Sequence, residues 1–366
     1  MKIAHWVYDL IRGGSEGQCA RTAMGLARRG WEQQVVVFHR RGYYLEAVEA
    51  ACGPAWEVGI RHAARPGTVR EVWRLARKLR EAGVDVLHAW DADAAVFGQF
   101  AARLAGVKFV TSRRDLGAIY PRWKEALLRR ADRQAVRVAA NAKAVVEHFA
   151  AAGVPREKLA LLPNLGPETA RDEAAEAEWA RKLISGRRLA VVNRLDPEKN
   201  TGLAVEALAL VLRRHPEARL VVAGDGRERA ALERLARENG TAAAVQFLGD
   251  VTGVPSLLRN CEIGALLPKA NEGLSNTILE YMDAGLPVIA TDCGGNRELV
   301  EEGGCGILLE REPTPEAVAE AWGRLLDDPA AARRMGEAGR RHVARVYSPE
   351  RALDAFEGFY REVGGA

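Results

Sequence analysis

Short β-branched runs alternate with longer segments of helical apolar spacing along the whole chain, and that rhythm restricts the fold more than any other feature. In the first half the runs predict strands over residues 3–8, 34–38, 84–88, 108–111, 136–140 and 159–162, with helices over 16–29, 69–81, 92–104 and 142–151 between them. Strands separated by helices cannot pair as hairpins. They pair in parallel through right-handed crossovers, which makes the chain an α/β protein.

The rhythm breaks once. Residues 166–187 are polar and Ala-rich with no strand signal, and a linker is expected there. It restarts with strands over 189–193, 218–223, 245–248, 263–267, 287–291 and 307–310, and helices over 315–326, 330–346 and 349–363 follow with no further strand. For 366 residues the expectation is two Rossmann-like domains, 1–165 and 188–346, joined by the 166–187 linker and closed by a C-terminal helix in 347–366. Ligands of open parallel sheets lie beyond the carboxyl ends of the strands. Two such domains facing each other put a site in the cleft between them, so the residues just after strands are the ones to inspect.

Charge is unevenly shared. Residues 1–165 hold 27 Lys and Arg against 16 Asp and Glu, a net of +11, whereas residues 166–366 hold 26 against 33, a net of −7. The basic half suits an anionic membrane surface or a lipid phosphate; an Arg-rich composition without any such partner gives the same count. Within it, Tyr120, Trp123, Leu127 and Leu128 recur at helical spacing among Arg122, Lys124, Arg129, Arg130 and Arg133. Such a stripe lies on an anionic bilayer or packs on the domain core. No helix-turn-helix, zinc-finger or aromatic-platform pattern points to nucleic acid. Cys19, Cys52, Cys261, Cys293 and Cys305 are scattered without a C-x-x-C, which argues for a reducing compartment and against a zinc or disulfide framework. No apolar run approaches the roughly 18 residues of a membrane span, and the first residues read as a buried strand rather than a secretion signal. A cytoplasmic protein is expected, in peripheral contact with the inner face of the membrane.

The segment richest in chemistry spans residues 268–300. A strand ends at Pro268, a polar loop carries Glu272, Gly273 and Leu274, and Ser275 or Asn276 caps a helix that closes at Gly285. Free backbone N–H groups at that helix start, with the positive end of its dipole, suit a phosphate or a sugar hydroxyl. Glu280 follows Glu272 by eight residues. Two carboxylates at one edge can each accept from a pair of hydroxyls; they can equally be a solvated loop Glu and a helix Glu satisfied by an Arg. A second segment, Asn193-Arg194-Leu195-Asp196-Pro197-Glu198-Lys199, leaves the first strand of the second domain. Arg194 and Lys199 there can neutralise a diphosphate leaving group, or pair on the surface with Asp196 and Glu198. In the first domain the Gly13-Gly14 turn lets backbone approach a ligand closely, or is only a tight turn. Asp91-Ala92-Asp93 looks like a metal-binding pair but sits at a helix start, where Asp caps well. His5 and His88 lie in strands and read as satisfied core residues. Gly224-Asp225-Gly226 lacks the third glycine of a dinucleotide site, and NAD is not expected.

These motifs together resemble the retaining nucleotide-sugar glycosyltransferases of the GT-B fold, family four. The similarity rests on Glu272 with Glu280, Gly285-Leu286-Pro287-Val288-Ile289-Ala290, Gly294-Gly295-Asn296-Arg297-Glu298 and Arg194-Leu195-Asp196-Pro197-Glu198-Lys199, and it runs nearly the full length. It implies a C-terminal helix that crosses back to the first domain. It also implies transfer of a hexose-type sugar from a UDP- or GDP-sugar to an acceptor hydroxyl with retention, for polysaccharide, lipopolysaccharide or glycolipid assembly. Arg194 and Lys199 would hold the diphosphate, Glu280 the ribose, and Glu272 with the backbone of Gly273, Leu274, Ser275 and Asn276 the sugar. Leu248 and Val251 would line the base, and Gly13 and Gly14 would close over the donor phosphates. In such enzymes the leaving phosphate acts as base, so neither a protein nucleophile nor a metal or other cofactor is implied. Many family members place a His after the strand at 108–111. This chain has Arg113, Arg114 and Asp115 there, which become acceptor-side candidates. The competing expectations are a sugar phosphorylase or a nucleotide-sugar epimerase on the same fold, and a non-catalytic sugar-nucleotide-binding subunit. The expected partners are a nucleotide sugar and an acceptor glycan, free or lipid-linked.

Overall fold

The computed structural model describes residues 1–60, 66–117, 120–167 and 171–365. The chain divides into two compact units, one formed by residues 1–165 with 349–366 and the other by residues 166–348.

The first unit is built on seven strands: β1 (Lys2–Val7), β2 (Glu32–Val37), β3 (Trp56–Glu57), β4 (Val86–Ala89), β5 (Lys108–Arg113), β6 (Arg137–Ala140) and β7 (Leu159–Leu161). They pair in parallel in the order β3-β2-β1-β4-β5-β6-β7. Side chains alternate across a strand, so each strand feeds two cores. Ala4 and Trp6 of β1 join one apolar cluster, and Ile3 and Val7 join another on the opposite face. The C-terminal helix Pro349–Gly365 belongs to this unit, and Phe356, Phe359, Tyr360 and Val363 lie in the second cluster. The Tyr360 hydroxyl lies 2.6 Å from His88 Nδ1, and Lys108 Nζ donates to the carbonyls of Val363 and Gly364 at 2.8 and 2.9 Å. Arg29 pairs with Asp354 and Glu357. His5 and His88 are fully buried, as a core role requires; burial pushes His5 down to about 4.

The second unit holds β8 (Arg187–Val192), β9 (Ala218–Ala223), β10 (Val245–Gly249), β11 (Ile263–Leu266), β12 (Val288–Thr291) and β13 (Gly306–Leu309). Their order is β10-β9-β8-β11-β12-β13, again with every pair parallel. The stretch expected as a linker is not bare chain. Asp172 caps a helix over Glu173–Lys182 by accepting from the Ala175 N–H at 2.9 Å, and Glu176 of that helix pairs with both Arg171 and Arg259. Trp179 packs on a small cluster around Leu183, Val221, Ala223 and Leu257, which fixes the segment to the second unit. Among the described residues, no helix is long and apolar enough to cross a membrane.

Candidate active site

In both sheets the strand order reverses at one point, between β8 and β11 in the second unit and between β1 and β4 in the first. Loops leaving two adjacent strands toward opposite sides open a crevice there. In the second unit the two loops are 193–200 and 267–275, the segments that carry Arg194, Lys199 and Glu272.

The loop after β8 is held from three sides. Leu195 is buried, its N–H donates to the Asp225 carbonyl at 2.9 Å, and its own carbonyl accepts from the Glu228 N–H at 2.9 Å. A Cβ on Gly224, which has a φ of +125°, would sit 1.9 Å from the Asn193 carbonyl oxygen. The Gly224-Asp225-Gly226 turn is therefore a brace for this loop. A short turn at Pro197–Lys199 and a left-handed Asn200 lead into the helix Thr201–Val211. Arg194 is 74% exposed, and its ion-pair partners among the described residues are loose, at 3.4 Å (Asp196) and 3.7 Å (Glu198). Arg227 approaches the same two carboxylates at 3.5 and 3.8 Å.

The loop after β11 meets the first one directly. The Lys269 N–H donates to the Glu198 carbonyl at 2.9 Å, and Lys199 Nζ donates to Glu272 Oε2 at 2.7 Å, both side chains half-buried or less exposed. Gly273, Leu274 and Ser275 are buried. Ser275 caps the helix Asn276–Asp283 by accepting from the Ile278 N–H at 3.2 Å. That helix is tied to the end of β8. The Tyr281 hydroxyl accepts from the Val192 N–H at 2.9 Å and donates to the Ala265 carbonyl, and the Thr277 hydroxyl donates to the Val192 carbonyl. Glu280 lies in the same helix, half-buried. Leu248 and Val251, at and after the end of β10, pack on the cluster that holds Trp179.

Sequence reasoning missed the support beneath Glu272. Gly294 has a φ of +56°, and a Cβ on it would fall 1.8 Å from the Glu272 carbonyl oxygen; the neighbouring Gly295 N–H donates to the Gly273 carbonyl at 2.8 Å. The paired glycines were a visible signal for close backbone approach, but nothing local says which loop approaches.

In the first unit, Gly13 is the extended N-cap of the helix Gly14–Arg28, and a Cβ there would meet the Glu16 carboxylate at 2.1 Å. Asp91 caps the helix Ala92–Ala105 by accepting from the Ala94 N–H at 2.9 Å, as expected of a cap, while Asp93 pairs with Lys124 at 2.8 Å. Burial pushes the Asp91 carboxyl up to about 7, with Asp93 and Glu16 adding to the rise against the pull of the Ala94 N–H. The three acceptor-side candidates part company. Arg113 is buried and bidentate with buried Asp132, at 2.6 Å for the closest pair, so its charge is spent on the fold. Asp115 closes its own turn, accepting from the Gly117 N–H at 2.8 Å and from the Tyr120 hydroxyl at 3.2 Å. Arg114 donates to the Asn164 side-chain oxygen at 2.6 Å and lies over the Trp90 ring.

Two parallel, doubly wound sheets, each with its loops and helix starts gathered at a strand reversal, and a C-terminal helix returned to the first unit, define the GT-B class of two-domain α/β protein. The model for Glycosyl transferases group 1 matches residues 180–342, and that for Glycosyltransferase Family 4 matches residues 12–165. The chain is 33% identical over 328 residues to the alpha-D-kanosaminyltransferase of Streptomyces kanamyceticus, covering 84% of each protein. It is 35% identical over 208 residues to a GDP-mannose-dependent alpha-(1-6)-phosphatidylinositol monomannoside mannosyltransferase of Mycobacterium tuberculosis, a match that spans 53% of this chain and 54% of that protein. It shares its fold with Anabaena Alr3699/HepE, solved in complex with UDP and glucose, at a TM-score of 0.88 and 21% identity, covering 99% of this chain and 100% of that one. The chain belongs to the group 1, family 4 glycosyltransferases, and its activity is sugar transfer.

Proposed function

We propose that the protein transfers a hexose-type sugar from a nucleotide-diphosphate sugar to an acceptor hydroxyl with retained anomeric configuration, in polysaccharide or glycolipid assembly. One observation carries this reading: a lysine and a carboxylate from the loops after β8 and β11 meet at 2.7 Å, the lysine on the loop that also carries the exposed Arg194 and the carboxylate on the loop that leads to the Ser275-capped helix. Cations so placed stabilise the charge that develops on a departing diphosphate, and a carboxylate so placed grips sugar hydroxyls. In this reading Lys199 and Arg194 hold the diphosphate. Glu272 and the 273–276 backbone hold the sugar, Glu280 the ribose, and the backbone around Leu248 and Val251 the base. The attacking hydroxyl gives its proton to the leaving phosphate oxygen, so the reaction needs no protein nucleophile. The same charges stand in for a divalent metal. The first unit supplies the acceptor side and a peripheral contact with an anionic membrane.

A relative and a fold neighbour of this chain carry different nucleotides in their names, GDP in the mannosyltransferase and UDP in the HepE complex. The test is therefore a panel of UDP- and GDP-sugars with sugar acceptors, scored for nucleoside diphosphate release and for the anomeric coupling of the product by NMR, with and without a chelator. The expected result is an acceptor-dependent product with the donor's anomeric configuration, unchanged by chelation. An inverted product, sugar release that ignores the acceptor, or strict metal dependence overturns the reading.

A further inference from the structure

We propose that Arg114 forms an anion-recognition site in the first unit, selecting acceptors that carry a phosphate or carboxylate group. The inference rests on the sugar-transfer reading above and names the acceptor's chemical class.

Arg113 and Arg114 are consecutive on the chain and differ in one respect that decides their use. Arg113 is neutralised by Asp132. Among the described residues, no carboxylate lies within ion-pair distance of Arg114, and its protein hydrogen bond runs to a neutral amide oxygen. Arg114 is half-buried, and partial withdrawal of a guanidinium from water with no carboxylate in contact is unfavourable. Burial draws it down to about 10, still far above neutrality, so the group stays charged.

The surroundings fix that charge in one place. Trp90, under the guanidinium at 5.4 Å, is buried and donates from its indole nitrogen to His5 at 2.9 Å. Asn164, which receives the Arg114 hydrogen bond, is 1% exposed. The next residue, Leu165, is pinned to the first helix by a reciprocal pair: Gln18 Nε2 donates to the Leu165 carbonyl at 2.9 Å, and the Leu165 N–H donates to Gln18 Oε1 at 2.8 Å. Trp90 after β4 and Asn164 after β7 thus hold the guanidinium that follows β5, and the helix after β1 fixes the segment that carries Asn164. The titratable groups that act on it include Arg21, which repels, and Glu16, which favours its charge; Cys19 and His88 lie in the same field. Burial raises the Cys19 thiol well above its usual range, so Cys19 is neutral and supplies no counter-charge at physiological pH. A planar, preorganised fork at the carboxyl end of a parallel sheet matches the geometry of phosphate or carboxylate oxygens.

The test uses the full chain with saturating UDP or GDP, which occupies the second unit, and inorganic phosphate or glucose 6-phosphate as anionic probes beside neutral methyl glucoside. Binding is read by calorimetry and melting temperature. Wild type is expected to bind the anionic probes, and Arg114→Gln to bind them at least tenfold more weakly, the scale of a lost charge-assisted hydrogen bond, with its nucleotide binding and unliganded melting temperature preserved. Equal anion binding by both proteins, or by neither, overturns the proposal. Loss of nucleotide binding in the variant reassigns Arg114 to the donor. A fall in the unliganded melting temperature with unchanged anion binding makes it structural. If Arg114→Gln does not fold, Arg114→Lys keeps the charge, loses the fork and must show the same selective weakening. A wild type that binds neither UDP nor GDP counts against the sugar-transfer reading itself, not against this site.

Discussion

Lys199 and Glu272, 73 residues apart in the chain, meet at 2.7 Å between two loops that leave adjacent strands. Each is the other's partner until a ligand arrives. In the proposed reading a sugar nucleotide engages both at once, through its diphosphate and its sugar, whereas a bare nucleoside diphosphate engages Lys199 and Arg194 but not Glu272, and must pull the lysine off the glutamate. Glu272→Gln is thus expected to lower turnover by about two to three orders of magnitude, the scale of one preorganised polar contact, while nucleoside diphosphate binds as tightly as before or more tightly. Lys199→Ala and Arg194→Ala should lower turnover similarly but weaken diphosphate binding. Calorimetry with the product nucleotide, beside steady-state rates, separates the two patterns; weaker diphosphate binding in Glu272→Gln contradicts the shared-partner account.

Gly294 underlies Glu272 from a third loop. A methyl group there meets a carbonyl oxygen at 1.8 Å and sits at a φ of +56°, so backbone has to move. Gly294→Ala should cost more than about 1 kcal/mol of stability and lower turnover beyond any loss of folded protein, because the displaced atom belongs to Glu272. Rates normalised to folded fraction check this. Normal turnover from the folded variant would show that the Glu272 loop tolerates the shift.

Most of the second unit's crevice was legible in the sequence, and the reason is local. Loops that end strands announce themselves by composition, and Ser275, Asn276 and Gly285 bracket their helix with their own capping chemistry. What was illegible depends on distant partners. Nothing in Thr111-Ser112-Arg113-Arg114-Asp115 says that Asp132 claims the first arginine and not the second. The strand β3 has two residues and no periodicity to read. The helix Glu173–Lys182 is mostly Ala and Glu with no buried residue of its own, and it is placed by Trp179 and by Arg259 from elsewhere in the chain.

Asp91 gives a pH signature. Its carboxyl is held near 7 in the folded protein, against an ordinary value near 4 in the unfolded chain. Between those values the folded state keeps a proton that the unfolded chain releases, so this group's contribution is present at low pH and is lost as pH rises from about 4 to 7. Asp91→Asn keeps a competent cap and removes the titration. The variant should match wild type near pH 4 and exceed it by up to about 4 kcal/mol at pH 7.5. Urea unfolding at the two pH values decides: a variant less stable than wild type at pH 7.5 means the ionised carboxylate is compensated after all.

The apolar stripe of the basic half is mostly core. Leu128 is buried, and Tyr120 and Leu127 pack against the cluster that holds Leu87 and Phe97, which removes three of its four members from any membrane. Trp123 remains, 55% exposed between Arg122 and Lys124, and Trp73 stands 56% exposed on the helix Pro66–Glu81 with Arg70, Arg74 and Arg77 along it. Exposed tryptophans flanked by cations suit a headgroup layer, where each nearby cation contributes on the order of 1 kcal/mol toward an anionic surface. The protein should co-sediment with vesicles containing anionic lipid and not with neutral ones. Salt of 0.5 M, which shortens the screening length to roughly 4 Å, should release it. Trp123→Ala and Trp73→Ala should each weaken binding severalfold with the fold intact, since neither ring is buried. Equal sedimentation with neutral vesicles would assign the contact to the apolar rings alone, and binding to neither kind would leave both tryptophans without a membrane role.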